Sequence, residues 1–198
     1  MQACICIANK HRMCIKAQKW GSMKPRKIAV YGLLIALAFI LSYMESLFPI
    51  LVPIPGIKLG LANLVVLTAL YEMGWKDALL FAMIRVVLVG FTFGSLSTML
   101  FSLAGGLLSW LMMLLFLKSN LFSMIGVSII GGIFHNIGQI IVAIFVVENE
   151  SLLYYLPFLL LAGVITGAVI GILGAAIIKR LHRIMNHELT GDNIKKNR

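Results

Sequence analysis

Hydrophobic residues fill this chain in six runs, and charged residues are confined mostly to the breaks between them. A run of about 20 apolar residues is the length a helix needs to cross a ~30 Å hydrocarbon core. The first, residues 28–48, exceeds a signal-peptide core and has no small-residue cleavage site after it, so it predicts a retained helix. Pro49, Pro53, Pro55 and Gly56 then exclude regular helix and predict a stiff loop. The second run, residues 59–73 between Lys58 and Lys76, barely spans and predicts a tilted or partly broken helix. The third, 77–93, carries Arg85 at its centre. No formal charge occurs from Val86 to Leu117, too long a stretch for one helix, and Gly90-Phe91-Thr92-Phe93-Gly94-Ser95 supplies the turn within it. The fourth run covers 96–117 and ends at Lys118-Ser119-Asn120, and the fifth covers 121–147 and ends at Glu148-Asn149-Glu150. Pro157 suits the first turn of the sixth, which continues to residue 178 before Lys179-Arg180.

Composition turns this pattern into a class. Of 198 residues, 61% are hydrophobic and only 12% charged, where a soluble domain carries about 25% charged. The expected architecture is an all-α integral membrane protein: a six-helix transmembrane domain over 25–180, a basic extension without fixed structure over 1–24, and a basic cytoplasmic tail over 181–198. The formal net charge of +10 does not point to nucleic acid, because the basic residues do not interleave with aromatics on a soluble surface. Seven Lys/Arg lie in residues 1–27 and six in 179–198, leaving Lys58, Lys76, Arg85 and Lys118 between. Basic flanks around apolar spans are the positive-inside signature, which places both termini in the cytoplasm and the flanks against anionic lipid. Cys4, Cys6 and Cys14 all precede the first span, lack zinc-ligand spacing and are expected as reduced thiols.

Against this apolar background the polar residues stand out. Phe134-His135-Asn136-Ile137-Gly138-Gln139 places three strongly hydrogen-bonding side chains within five residues of the fifth run, a cost in hydrocarbon unless each finds a partner. On a helix His135 and Gln139 share a face, with Asn136 beside it. Arg85 lies about nine residues from Lys76, hence ~13 Å into the membrane at ~1.5 Å per residue. An unpaired central arginine costs roughly 2.5–3.5 kcal/mol even on mild insertion scales. It therefore reads either as half of a buried ion pair with Glu45 or Glu72, or as a cationic anchor for an anionic ligand. Counted in the same way, His135, Gln139, Asn63 and Glu45 fall in the outer half of the bundle, with Lys58 above them. Taken singly, such residues read as interhelical glue worth ~0.6–2 kcal/mol each. Together with Asn136, Arg85 and Lys58 they predict a ligand pocket opening outward under the proline-rich loop. No second His or Cys shares the depth of His135, so no metal is expected, and no cofactor motif occurs.

Small residues mark close packing. Gly163, Gly167, Gly171 and Gly174 form one stripe, and Ser102, Gly105, Gly106 and Ser109 another, both expected to pack within the bundle. Ala29, Gly32 and Ala36 make a third patch on the first span, free to face a partner protein. Trp75, Trp110, Tyr154 and Tyr155 are expected at membrane interfaces. The chain has no Asp-rich magnesium motif and no P-loop, so a small-molecule transporter or its substrate-binding subunit leads over an enzyme, with any driving energy supplied from outside the chain.

The run Pro55-Gly56-Ile57-Lys58-Leu59-Gly60-Leu61-Ala62-Asn63, then Arg85, then Phe101-Ser102-Leu103-Ala104-Gly105-Gly106, then 131–139 resembles a bacterial membrane family, heptaprenyl diphosphate synthase component I, also called the Gx transporter family. The resemblance covers roughly residues 25–180. It implies the six-helix fold of the S components of energy-coupling factor transporters, in which a membrane subunit of the plasma membrane binds its ligand near the outer face. It also implies docking, through small residues of the first helix, onto a transmembrane scaffold and two ATPases. Gly32-x-x-x-Ala36 stands here where Ala-x-x-x-Ala is the rule. The family's enzymatic label leaves a second reading open, a membrane component associated with heptaprenyl diphosphate or menaquinone synthesis.

Overall fold

The computed structural model describes residues 5–6, 12–13, 25–47 and 60–196. The proline-rich connection, Lys58 included, and most of the N-terminal extension lie outside the described residues. Two short strands, β1 (Ile5–Cys6) and β2 (Arg12–Met13), pair antiparallel. The rest is helical: α1 (Pro25–Leu47), α2 (Asn63–Glu72), α3 (Trp75–Phe93), α4 (Leu96–Ser119), α5 (Met124–Val147), a 3-10 segment (Glu150–Tyr155) and α6 (Leu156–Lys196). The breaks follow local chemistry. Gly74, at φ 107°, separates α2 from α3; Ser95 and Ser123 cap α4 and α5 by accepting the amides of Thr98 and Gly126. Asn120 closes α4 in the left-handed conformation at φ 54°.

Each of the six apolar runs holds one helix, but they are unequal. Three segments, Leu96–Ser119, Met124–Val147 and Glu150–Arg180, are long and apolar enough to cross a membrane, which makes this a membrane protein. Helix α2 has only 10 residues, about 15 Å against a ~30 Å core. Helix α6 has 41 residues and runs through Lys196, so the basic segment beyond residue 180 continues the helix.

Close approach of backbones orders the bundle. A Cβ on Gly105 would strike His135 and Gln139, and one on Gly131 would strike Met113 and Ser109, so α4 and α5 run antiparallel. Gly132 faces Gly163, Gly167 faces Ser128 and Ile129, and Gly171 faces Ile125, so α5 and α6 are antiparallel as well. The Gly163-Gly167-Gly171 stripe thus packs within the bundle, where the missing side chains bring main chain against main chain and compensate for the weak apolar driving force in lipid. Residues 63–71 of α2 are buried throughout, and its aliphatic side chains join those of α1, α3 and α4 in the main apolar cluster. Outside, large apolar side chains such as Phe91, Leu121, Phe145 and Ile172 are exposed. A soluble protein does not leave so much apolar area uncovered; here it is the lipid-facing surface.

Candidate functional site

Polar side chains converge where α2 begins. Glu45, near the end of α1, accepts the Leu61 amide on Oε1 at 2.6 Å. That amide belongs to a tight turn leading into α2, in which the Gly60 carbonyl accepts the Asn63 amide at 2.8 Å. No side chain caps α2, and the Glu45 carboxylate lies beside its electropositive end. Gly60 sits at φ +84°, a conformation side chains disfavour, and a Cβ there would come within 2.9 Å of His135 Cδ2. The imidazole of α5 therefore packs directly on the end of the α1–α2 connection.

From Asn63 the network spreads to α3 and α4. Asn63 donates through Nδ2 to Ser109 Oγ at 3.1 Å, and its Oδ1 accepts from Arg85 Nη1 at 3.4 Å. Asn63 and Arg85 are both buried, at 4% and 6% exposure. The long arginine side chain bridges the depth difference that counting along the sequence puts between them. Glu45 also acts electrostatically on the Arg85 guanidinium, so of the two candidate carboxylates, Glu45 and Glu72, Glu45 is the one whose charge Arg85 feels. On α5, His135 Nε2 and Gln139 Nε2 lie 2.7 Å apart, both side chains fully buried. With the amide in this orientation it donates to the ring nitrogen, which puts the imidazole proton on Nδ1; a flipped amide would accept from Nε2 instead.

Asn136 takes the other side of α5. Its Nδ2 donates to the Leu159 carbonyl of α6 at 2.6 Å, a bond that ties two helices and turns away from His135. The structure thus brings Glu45, Asn63, Arg85, His135 and Gln139 toward the start of α2 and leaves Asn136 in the α5–α6 seam. Lys58 lies outside the described residues. On α1, Gly32 and Ala36 are exposed, and open space surrounds the position of a Gly32 Cβ. The side chain of Ala29 is likewise outside the description. Two contributors are not among the polar residues that the sequence singles out. Ser109, expected only to pack, is a hydrogen-bond partner of Asn63, and Gly60 forms the seat of His135. The recurrence of Ser102, Gly105 and Ser109 on one face of the fourth run is the signal that could have found the serine.

Two crevices flank Arg85. One, too tight to admit a water, lies in the α1–α3 seam beside Ala38, Phe39 and Phe81. The other lies between α3 and α4, with Thr98 and Ser102 on its wall, and has room for about one water. Among the described residues no group of three or more His, Cys, Asp or Glu could hold a metal ion.

An apolar helical bundle that encloses a cation, a carboxylate, two amides and an imidazole is a membrane component with a polar interior. The chain belongs to the heptaprenyl diphosphate synthase component I family, whose profile matches residues 34–177. No curated protein and no solved structure matches it.

Proposed function

We propose that this protein is the substrate-binding membrane subunit of a small-molecule transport system. In this reading each of the six apolar runs takes the chain across a bacterial plasma membrane, with both termini in the cytoplasm. Its ligand is polar or anionic, of vitamin or isoprenoid-related chemistry, and reaches the pocket from outside. The observation that carries it is the chain of contacts from Glu45 through Leu61 and Gly60 to His135, with Arg85, Asn63 and Ser109 alongside. Interhelical glue needs one bond per helix pair, as Asn136 makes. Five polar side chains gathered at the start of a short helix suit a ligand better. In this reading Lys58 is a second cation for the ligand, and Ala29, Gly32 and Ala36 of the first helix form the docking surface for an energy-coupling-factor scaffold and its ATPases.

The family name favours a second reading, a membrane component that accompanies heptaprenyl diphosphate synthesis. The seven acids of the chain include no Asp-rich cluster to hold magnesium against a diphosphate, so that role would be auxiliary. A ligand screen by thermal melting of the purified full chain, across anionic vitamins, flavins and isoprenoid diphosphates, separates the two. Transport predicts stabilisation by one ligand class, abolished by Arg85→Gln and by His135→Ala while the unliganded melt shifts by only a few degrees. An auxiliary role predicts co-purification with a prenyl synthase and a change in its product yield. Absence of any stabilising ligand from the full screen would overturn the transport reading.

A further inference from the structure

The α3–α4 crevice holds two polar groups that the bundle itself leaves incomplete. Arg85 is 94% buried, taken from its 6% exposure. Among the described residues its one hydrogen bond is the 3.4 Å contact to Asn63, so most of a guanidinium's five N–H donors are without an acceptor. Ser102, at 7% exposure, lines the same crevice, and its hydroxyl makes no hydrogen bond among the described residues. A buried serine in an apolar helix normally bonds back to a carbonyl of its own preceding turn. Thr98, on the same wall, pairs its hydroxyl with Ser95 at 2.9 Å.

We propose that this crevice seats an oxyanion, a phosphate or carboxylate group, held by Arg85 with Ser102 as a second donor. This rests on the ligand-binding reading above and adds the chemistry of one end of that ligand. A guanidinium fork presents parallel donors to two oxygens of such a group, and a hydroxyl completes the set from the facing helix. The facing carboxylate, Glu45, accepts the Leu61 amide and, among the described residues, acts on Arg85 through its field. The rest of the wall, Val86, Val89 and Gly90 on one side and Met99 on the other, is apolar. The crevice is narrow because Met99 lies over Gly90, where a Cβ would come within 2.7 Å of the Met99 sulfur. Methionine has three rotatable bonds, so rotation of this one side chain admits a larger group.

The test measures binding to the full-length protein in phosphatidylcholine nanodiscs by calorimetry, with inorganic phosphate, hexyl phosphate and hexanoate as probes. At least one probe is expected to bind, with affinity lowered about fivefold by Ser102→Ala, a lost hydrogen bond, and at least about tenfold by Arg85→Lys, which lacks the fork. Binding of inorganic phosphate supports a free anion as the source, and binding of hexyl phosphate or hexanoate alone supports a group on an apolar tail. Ser102→Cys, close to serine in shape with a far weaker donor, repeats the loss without a cavity. No binding by any probe, or equal affinity in wild type and both Ser102 variants, overturns the proposal. If the screened ligand still stabilises through His135 while Ser102→Ala changes nothing, the crevice assignment fails and the transport reading stands. Ser102-dependent probe binding with no stabilising ligand in the screen upholds the crevice and removes the transport reading.

Discussion

His135 and Asn136 are consecutive, fully buried residues of α5, yet they serve different seams. Toward α6, backbones meet across glycine and Asn136 satisfies a carbonyl at 2.6 Å. Toward α4 and α2, glycine also lets the helices approach, but the polar groups there form a chain with loose ends: a 3.4 Å arginine contact and an unbonded serine hydroxyl. Saturation is what separates glue from a site inside a membrane protein. Glue is satisfied by the bundle, whereas a site retains donors that the bundle does not use.

Substitutions on the two faces put that contrast at risk. The largest effect belongs to Gly167→Leu, whose Cβ alone would come within 2.7 Å of the Ile129 Cα. Main chain cannot step aside as a side chain does, so a loss of about 3 kcal/mol or more in detergent unfolding is expected, and a native-like melt would refute the tight α5–α6 seam. Asn136→Leu removes the bond to Leu159 and should lower stability by ~0.6–2 kcal/mol while leaving ligand affinity intact. His135→Leu should do the reverse, and identical behaviour of the two variants would erase the distinction between the faces. Gly32→Leu meets nothing within 4 Å, so its stability effect should stay within about 0.5 kcal/mol. Its readout is co-purification with a partner complex, lost if that face docks and unchanged if it only faces lipid.

Much of this is legible in the residues. Proline, glycine and capping serines mark where helices stop, and the uncharged stretch from Val86 to Leu117 requires a turn that Gly94 and Ser95 make. The glycine stripe of the sixth run reads directly as a packing face. What is not legible is which way adjacent polar residues point: His135, Asn136 and Gln139 read as one cluster, and a rotation of 100° per residue sends one of them to a different neighbour. Ser109 and Ser102 are hidden for a related reason. A small hydroxyl among glycines looks like packing until its partner, Asn63 or the Arg85 crevice, is brought in from a different run.

The order of residues alone dictates a helical membrane protein, because hydrocarbon forbids unpaired backbone and tolerates few charges. It also dictates where the costly groups lie along the chain. Which of those groups meet is an outcome of tertiary packing. Helices of equal hydropathy have no preferred neighbour in lipid, so glycine contacts set the pairing and the pairing sets the polar contacts. Helix α2 shows this most plainly. Its 10 residues cannot cross a bilayer alone, and their full burial by α1, α3, α4 and α6 brings Asn63 to Arg85 and the Gly60 turn onto His135.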